Sequence, residues 1–457
     1  MGALMHVRLG DGHEHPRGWS TLRPPGYFSR FRMARKRGRG ARMQLKTILN
    51  HVEKHKSFVY GLPRWGEDKK RIEVPVFPRK NNRAICSGCD RPGPGYDRLP
   101  ERAFDFVPLW GIAVVFLYSM RRVKCPNCGV KVESVPWCVG KSSLTRTLTI
   151  FLARWARKLI WSEVATTFGS TWKKVHASVR YVVEYGLKHR DMDDVTAIGI
   201  DEIQFGKGHR YLTLVYQLND GVRRLLYIGE GRTVKTLLRF FHDRGKAWCR
   251  RLDFVCSDMW QPYVKVIAKK APQALHILDR FHIVAKLNKA LDEIRSAEAR
   301  KMKRDGFREV LKHTKYCFLK NPENLTDGQL DKLDDVLQYD LKSVRAYLLK
   351  ESFQLLWRYV SPYWAQWYLK KWCTTAMRSR LDPVKKFVGT VRRHNDLIMN
   401  WFRARKDFSC GAVEGLNRKV NLITRKSYGF KSLKVLMLAL YHTMGGLPEP
   451  RTAHEFC

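Results

Sequence analysis

Residues 195–200, VTAIGI, open a run that continues with YLTLVYQL at 211–218, the turn Asn219-Asp220-Gly221 and VRRLLYIG at 222–229. Short apolar, β-branched runs on either side of an Asn-Asp-Gly turn predict antiparallel strands joined by a hairpin. The pattern then alternates: a helix around TVKTLLRFFHDR (233–244), a strand LDFVCS (252–257), a helix PYVKVIAKK (262–270), a strand ALHIL (274–278) and a long amphipathic helix from FHIVAKLNKALDEIR (281–295). The element order is therefore β-β-β-α-β-α-β-α.

Three antiparallel strands followed by alternating helices and parallel strands is the layout of a ribonuclease-H-like fold, a scaffold for two-metal phosphoryl transfer. Fold alone does not establish function, so the position of the acids matters. Asp201 follows AIGI and Asp258 follows FVCS. Both strands would deliver a carboxylate to one sheet edge, where α/β sheets bind ligands. A third acid comes much later, in SCGAVEGLNRKVNLITRKSYGF at 409–430. There Ser409 can cap a helix and Val413, Leu416, Val420 and Ile423 supply an apolar stripe. Glu414, Arg418, Asn421 and Arg425 recur on another face, so that one carboxylate leads a row of phosphate-seeking groups. Arg425 taken alone suits a solvated face equally well.

Asp201, Asp258 and Glu414 are thus expected to hold two Mg²⁺ (or Mn²⁺) ions, for which carboxylates are the preferred hard ligands. Two ions roughly 3.5–4 Å apart activate a water, stabilise the leaving oxygen and fix in-line geometry. Asp201 is expected to bridge them, with Asp258 on one and Glu414 on the other. A tyrosine or serine recombinase would need a nucleophile within an Arg/His constellation, and no such set is clustered in the sequence.

The chain around this core points to the same partner. With 86 Lys and Arg against 42 Asp and Glu, its formal charge of +44 exceeds what solubility requires and is spread along the whole length. The natural partner is a polyanion. A hydrophobic content of 44% calls for folded cores, several for a chain of 457 residues. No run approaches the ~18 apolar residues of a membrane span, and the N-terminus lacks the apolar stretch of a signal peptide. A cytoplasmic, nucleoid-associated protein with no membrane contact is expected. Residues 1–42 hold ten Lys/Arg and two acids and are expected to be disordered. They read either as a basic arm or, preferably, as an upstream extension of the frame before MQLKTILNHV at Met43.

Cys86-Ser-Gly-Cys89 and Cys125-Pro-Asn-Cys128 stand 35 residues apart, while the other cysteines are scattered singly. Paired Cys-x-x-Cys units offer four thiolates to one tetrahedral ion, so a structural Zn²⁺ on Cys86, Cys89, Cys125 and Cys128 is expected, not a disulfide framework. Residues 142–187 read as three helices broken at Gly169. This is the pattern of a helix-turn-helix, with Ala165 at the crossing and Ser170, Thr171, Trp172, Lys173 and Lys174 at the start of a helix entering the major groove. The acidic DMDDV at 191–195 reads as a linker. Residues 283–408 read as almost wholly helical. Their Trp357, Trp364, Trp367 and Trp372 either form core or stack on an unpaired DNA end.

The expected class is multidomain α+β: a basic extension (1–42), a zinc-binding domain (43–140), a helix-turn-helix (141–190), a ribonuclease-H-like catalytic core (195–296), an all-α insertion (297–408) and a C-terminal helix of the core (409–445). From Met43 onward the chain resembles the DDE transposases of bacterial insertion sequences, and more narrowly the L-three family. The resemblance rests on the two Cys-x-x-Cys pairs, IGIDE-x-x-F-x-K-G, SDMWQPY, Pro-x-A-x-x-x-x-D-x-FH at 272–282, and VEG-x-N-R-K-V-N-x-I-x-R-x-x-YGF. It implies the same triad of Asp201, Asp258 and Glu414, with Asp279 and His282 supporting the site or contacting DNA, or else serving as cap and packing of a helix start. It also implies binding to double-stranded terminal inverted repeats, cleavage that frees a 3′-hydroxyl, attack on target DNA, and a homo-oligomer on DNA. Two rivals remain open: a non-catalytic zinc/helix-turn-helix DNA-binding regulator derived from a transposase, and a nuclease of the same fold.

Overall fold

A computed structural model describes residues 44–206, 208, 210–404, 411–430 and 432–451. The expectations for residues 1–42, Met43 and the Ser409 cap fall outside this set.

The chain enters through α1 (Leu45–Val52) and a sheet built from β1 (Phe58–Tyr60), β2 (Arg64–Trp65), β3 (Arg71–Pro78), β6 (Gly95–Leu109), β7 (Ile112–Cys125) and β8 (Gly129–Val132), with β4 (Ala84–Ile85) and β5 (Pro92–Gly93) forming a separate small ladder. The order β1-β3-β7-β6 contains one parallel pair, β3 with β7. The long β6–β7 hairpin fills the gap between the two cysteine pairs, which explains a spacing wider than that of a simple zinc ribbon. Its inward side chains Phe104, Phe106, Phe116 and Tyr118 form an aromatic core with Phe58 and Trp137.

Three helices follow: α2 (Arg146–Trp155), α3 (Trp161–Thr167) and α4 (Trp172–His189). The Thr145 and Thr171 side chains accept the Leu148 and Lys174 amides at 3.2 and 3.3 Å and so fix the starts of α2 and α4. Gly169, at φ +57°, makes the turn between α3 and α4 in a conformation that disfavours any Cβ. Buried Leu148, Leu152, Val164, Ala165, Val175 and Val179 hold the three helices together.

The acidic linker is pinned by basic residues of the next domain, through Arg224 to Asp194 (3.1 Å) and Arg251 to Asp193 (2.9 Å). Beyond it come β9 (Ala197–Gln204), β10 (Tyr211–Gln217), β11 (Leu225–Glu230), α5 (Val234–Cys249), β12 (Phe254–Ser257), α6 (Gln261–Lys270), β13 (Leu275–Leu278) and α7 (Arg280–Arg304), in the order read from the sequence. The sheet runs β11-β10-β9-β12-β13, antiparallel on the β11 side and parallel from β9 to β13. One face packs Ile198, Ile200, Val215 and Val255 against α5 and α6.

The other face packs Ala197, Leu212, Leu214 and Ile277 into a core that continues through α7 and the helices α8 (Lys315–Leu319), α9 (Asp327–Leu337), α10 (Lys342–Gln354), α11 (Pro362–Arg378), α12 (Asp382–Arg393) and α13 (Asn395–Arg403). The helical region therefore has no core of its own. α7 runs unbroken across the expected boundary at 296, because its stripe of Ile283, Leu287, Leu291 and Ile294 is buried in that shared core. Asn400 on α13 ties the layer to the sheet by donating to the His276 carbonyl at 2.8 Å. The expected single C-terminal helix is two: α14 (Gly411–Lys426) and α15 (Leu433–Met444), separated at Tyr428 and Gly429, both of positive φ. After α15 the chain returns to α2, where Glu449 pairs with Arg154 and Arg157 at 2.8 Å each. No helix among the described residues is long and apolar enough to cross a membrane.

Candidate active site and metal centre

Parallel pairing of β9 with β12 puts Gly199 opposite Cys256, so Asp201 and Asp258, each two residues further on, come out level on neighbouring strands. The strand carrying Asp201 does not end there. β10 stays paired with β9 as far as Gln204, whereas β12 stops at Ser257, and Asp201 thus sits at the mouth opened where its parallel neighbour ends. Alternation along β9 sends Asp201 to the α14 side and Glu202 to the α6 side.

Helix α14 forms because Val413, Leu416 and Val420 recur on one face and are buried, each contributing roughly 1.5–3 kcal/mol. It lies close over β9: a Cβ on Gly199 would stand 2.5 Å from Val413 Cγ2. That approach brings Asn417 Nδ2 to 2.5 Å from Asp201 Oδ2, while Asn417 Oδ1 accepts the Tyr216 hydroxyl at 2.7 Å. Asp201 is further held by the Glu202 amide, which donates to Oδ1 at 2.8 Å. Asp258 accepts the Trp260 amide at 2.9 Å on Oδ1 and Arg232 Nη2 at 2.8 Å on Oδ2. Asp279 caps α7 through the Phe281 amide at 2.9 Å, and His282 Nε2 lies 3.9 Å from Asp201 and 3.8 Å from Asp279.

Ile200, Asp201, Cys256, Ser257, Asp258, Asp279, His282 and Val413 line one narrow cleft. Burial raises the Asp201 and Asp279 carboxyls above their ordinary range. Like charge adds to it, from Asp258 on Asp201 and from Asp201 and Glu414 on Asp279. Glu202, buried and facing Asp258, is pushed up to about 8. Glu414 is half-buried and holds Arg418 at 2.6 Å. The cleft gathers the carboxylates of Asp201, Asp258 and Asp279, while Glu414 is not among its lining residues; carboxylate oxygens are the donor type that hard divalent cations take.

A second centre lies in the N-terminal domain. The donor atoms of Cys86, Cys89, Cys125 and Cys128 all lie within 4.8 Å of one another, the one such set of three or more among the described residues. The Asn127 amide draws the Cys125 thiol down to about 7, and a hydrogen bond with Cys89 pushes Cys128 up to about 12. The Gly88 N–H points at Cys86 Sγ (3.4 Å), and a Cβ there would meet Cys128 Sγ at 3.1 Å. These four cysteines form a metal-binding cluster.

Of the residues expected to touch DNA, Thr171 and Lys173 are exposed at the start of α4, and Ser170 is half-buried in the turn before it. Lys174 is engaged within the protein, its Nζ 2.6 Å from Asp105 of β6. Arg418, Asn421 and Arg425 all lie on the exposed side of α14. The four tryptophans divide. Trp372 is buried and donates to Leu349 O at 3.1 Å, and Trp357 packs on Trp401 and Phe402. Trp364 and Trp367 are exposed on α11, with Lys371 Nζ 5.0 Å from the Trp367 ring. Sequence reading does not single out Asn417, Arg232 or Glu202. Asn417 is findable, three residues after Glu414 on the same helix; Arg232 follows a glycine turn and carries no local signal.

Residues 198–440 match the ISL3-type DDE family profile, described as a transposase. Over 409 residues the chain is 30% identical to the transposase for insertion sequence element IS1557 of Mycobacterium tuberculosis, covering 83% of this chain and 90% of that protein. Over 386 residues it is 26% identical to the transposase for insertion sequence element IS1001 of Bordetella parapertussis, covering 83% and 94%. The chain belongs to the ISL3 family of DDE transposases, enzymes that act on DNA.

Proposed function

We propose that Asp201, Asp258 and Glu414 are the metal-binding triad of a ribonuclease-H-like catalytic domain, and that the enzyme cuts at the terminal inverted repeats of its element and joins the freed ends to target DNA. The observation that carries this reading is the level placement of Asp201 and Asp258 on adjacent parallel strands beneath the helix of Glu414. Two Mg²⁺ or Mn²⁺ ions held there would supply an activated water and charge stabilisation at the leaving oxygen. Asn417 and the Glu202 amide fix the Asp201 carboxylate, and the Trp260 amide fixes that of Asp258. His282, between Asp201 and Asp279, is placed to orient either carboxylate. Arg418, exposed and held by Glu414, exchanges that partner for a DNA phosphate, with Asn421 and Arg425 continuing the row.

The four-cysteine cluster takes one structural Zn²⁺, and α2–α4 act as a helix-turn-helix that presents Thr171 and Lys173 to the major groove. Ser170 shapes the turn, and Lys174 braces the recognition helix against β6. Pairing of two element ends calls for a homo-oligomer on DNA. The domains are 43–140, 141–190 and a catalytic unit in which the helical region 297–408 is continuous with the sheet's core.

A pre-cut element end with a 3′-hydroxyl, mixed with a supercoiled plasmid and Mg²⁺, tests this. Wild-type protein should yield joined product, whereas E414Q, or an end lacking the 3′-hydroxyl, should yield none. Hydrolysis by the wild type without any joining would instead make the protein a nuclease of this fold.

A further inference from the structure

Arg232 forms an ion pair with the proposed metal ligand Asp258, and its setting is built from four elements. Its root is fixed, because the Gly231 N–H donates to Tyr211 O and Gly231 O accepts the Thr213 hydroxyl, each at 2.7 Å. The side chain then reaches from the end of β11 across β10 and β9. Its Nε lies 3.2 Å from Glu202 Oε1, its Nη2 2.8 Å from Asp258 Oδ2, and its Cζ 4.9 Å from the centre of the Trp260 ring. It nevertheless keeps 35% of its side chain exposed.

A guanidinium 2.8 Å from a metal ligand works against binding of the metal, so a role confined to the protein is poorly served by its position. Glu202 adds to the paradox. It is almost fully buried and sits on the opposite side of β9 from Asp201, where it is ill placed to join Asp201 on a metal, yet it brings another negative charge. Both facts are accounted for if Glu202 and Trp260 exist to aim the guanidinium. A planar fork stacked on an indole loses little freedom on binding, and its geometry matches two phosphate oxygens. Asp258 engages one of its five N–H donors, on Nη2, while the Nε contact with Glu202 is an ion pair without hydrogen-bond geometry, so donors on Nη1 and Nη2 are left for a ligand.

We infer that Arg232 contacts the non-bridging oxygens of the scissile phosphate and stabilises the charge that develops there during strand cleavage. Glu202 and Trp260 are its positioning residues. This rests on the reading of Asp258 as a metal ligand, which D258N tests separately.

The experiment is single-turnover cleavage of element-end duplex at saturating DNA and Mg²⁺ by wild type, R232A, R232K, E202Q and D258N, with end-binding affinity and thermal melting measured for each. Loss of one preorganised donor to developing charge costs about 100- to 1000-fold. R232A should lose that much and bind ends within about twofold of wild type. Raising Mg²⁺ should not restore it, and added guanidinium ion should do so in part. R232K keeps the charge without the fork and should lose about tenfold or more, with E202Q between it and the wild type. If R232A fails to fold, R232K and E202Q carry the test. Full activity of R232K, or an R232A deficit abolished by extra Mg²⁺, overturns the inference and reduces Arg232 to a counter-ion. Cleavage by D258N at the wild-type rate sinks the metal reading itself; an inactive D258N beside an active R232A sinks the Arg232 role alone.

Discussion

Gly199 sets how near the helix of Glu414 comes to the strand of Asp201. A methyl group there would stand 2.5 Å from Val413 Cγ2 and 2.9 Å from Leu218 Cδ1, so G199A must push α14 outward. Overpacking of this kind costs about 1–3 kcal/mol. G199A should therefore melt earlier and cleave far more slowly while binding element ends normally; unchanged cleavage would show that α14 tolerates displacement. His442 gives a pH test of burial. Burial pushes its imidazole down to about 3 from 6.5, and neither ring nitrogen has a hydrogen-bond partner among the described residues. Above pH 6.5 neither folded nor unfolded chain is charged at this position. As the pH falls below that value, the unfolded chain takes up a proton that the folded chain refuses, so stability drops until about pH 3. H442L lacks this loss and should gain about 2 kcal/mol on the wild type between pH 7.5 and pH 5 in denaturant melts. A gap independent of pH would mean that the ring titrates in the fold as it does in the unfolded chain.

Elements differ in how far the sequence reveals them. The five strands of the sheet β11-β10-β9-β12-β13 and the helices between them are legible because each strand is a short apolar run and each helix has its own stripe. The four-cysteine cluster and the three helices of 142–187 are legible for similar local reasons. The pairing of β3 with β7 is not, since parallel partners distant in sequence leave no mark on local periodicity. The boundary expected at 296 fails because a helix stripe does not say which surfaces it packs against, and α7 packs against both the sheet and its helical neighbours. Likewise the composition of 357–372 cannot separate buried Trp372 from exposed Trp364 and Trp367. At α4 the structure separates two lysines that look alike in the sequence. K173A should weaken end binding and lower the salt slope by about 1, whereas K174A, whose charge already pairs with Asp105, should change the slope much less. Equal slopes would place Lys174 on DNA. Chelation or C128S should remove the ion that ties the two knuckles together and lower the melting temperature, with readdition of Zn²⁺ reversing chelation alone.

The whole molecule carries +44 over 457 residues, and that excess gives strong, sequence-blind, salt-sensitive DNA affinity. Under the proposed function, specificity and chemistry would fall to different parts: the N-terminal sheet and helices for element ends, the five-stranded sheet for phosphodiester chemistry. The parts are physically coupled. Glu449, beyond the last helix, clamps α2 through Arg154 and Arg157, and the Tyr441 hydroxyl on α15 accepts the Ile228 amide of β11 at 2.9 Å. Three carboxylates, from β9, the end of β12 and α14, are proposed to form one metal site. Its most direct test is first-strand cleavage of element-end duplex by D201N, D258N and E414Q in Mg²⁺, at protein concentrations that saturate the DNA. Each isosteric change should abolish cleavage, by about 1000-fold or more, while end binding and melting temperature stay near wild type. Substantial cleavage by any one of the three variants would contradict it.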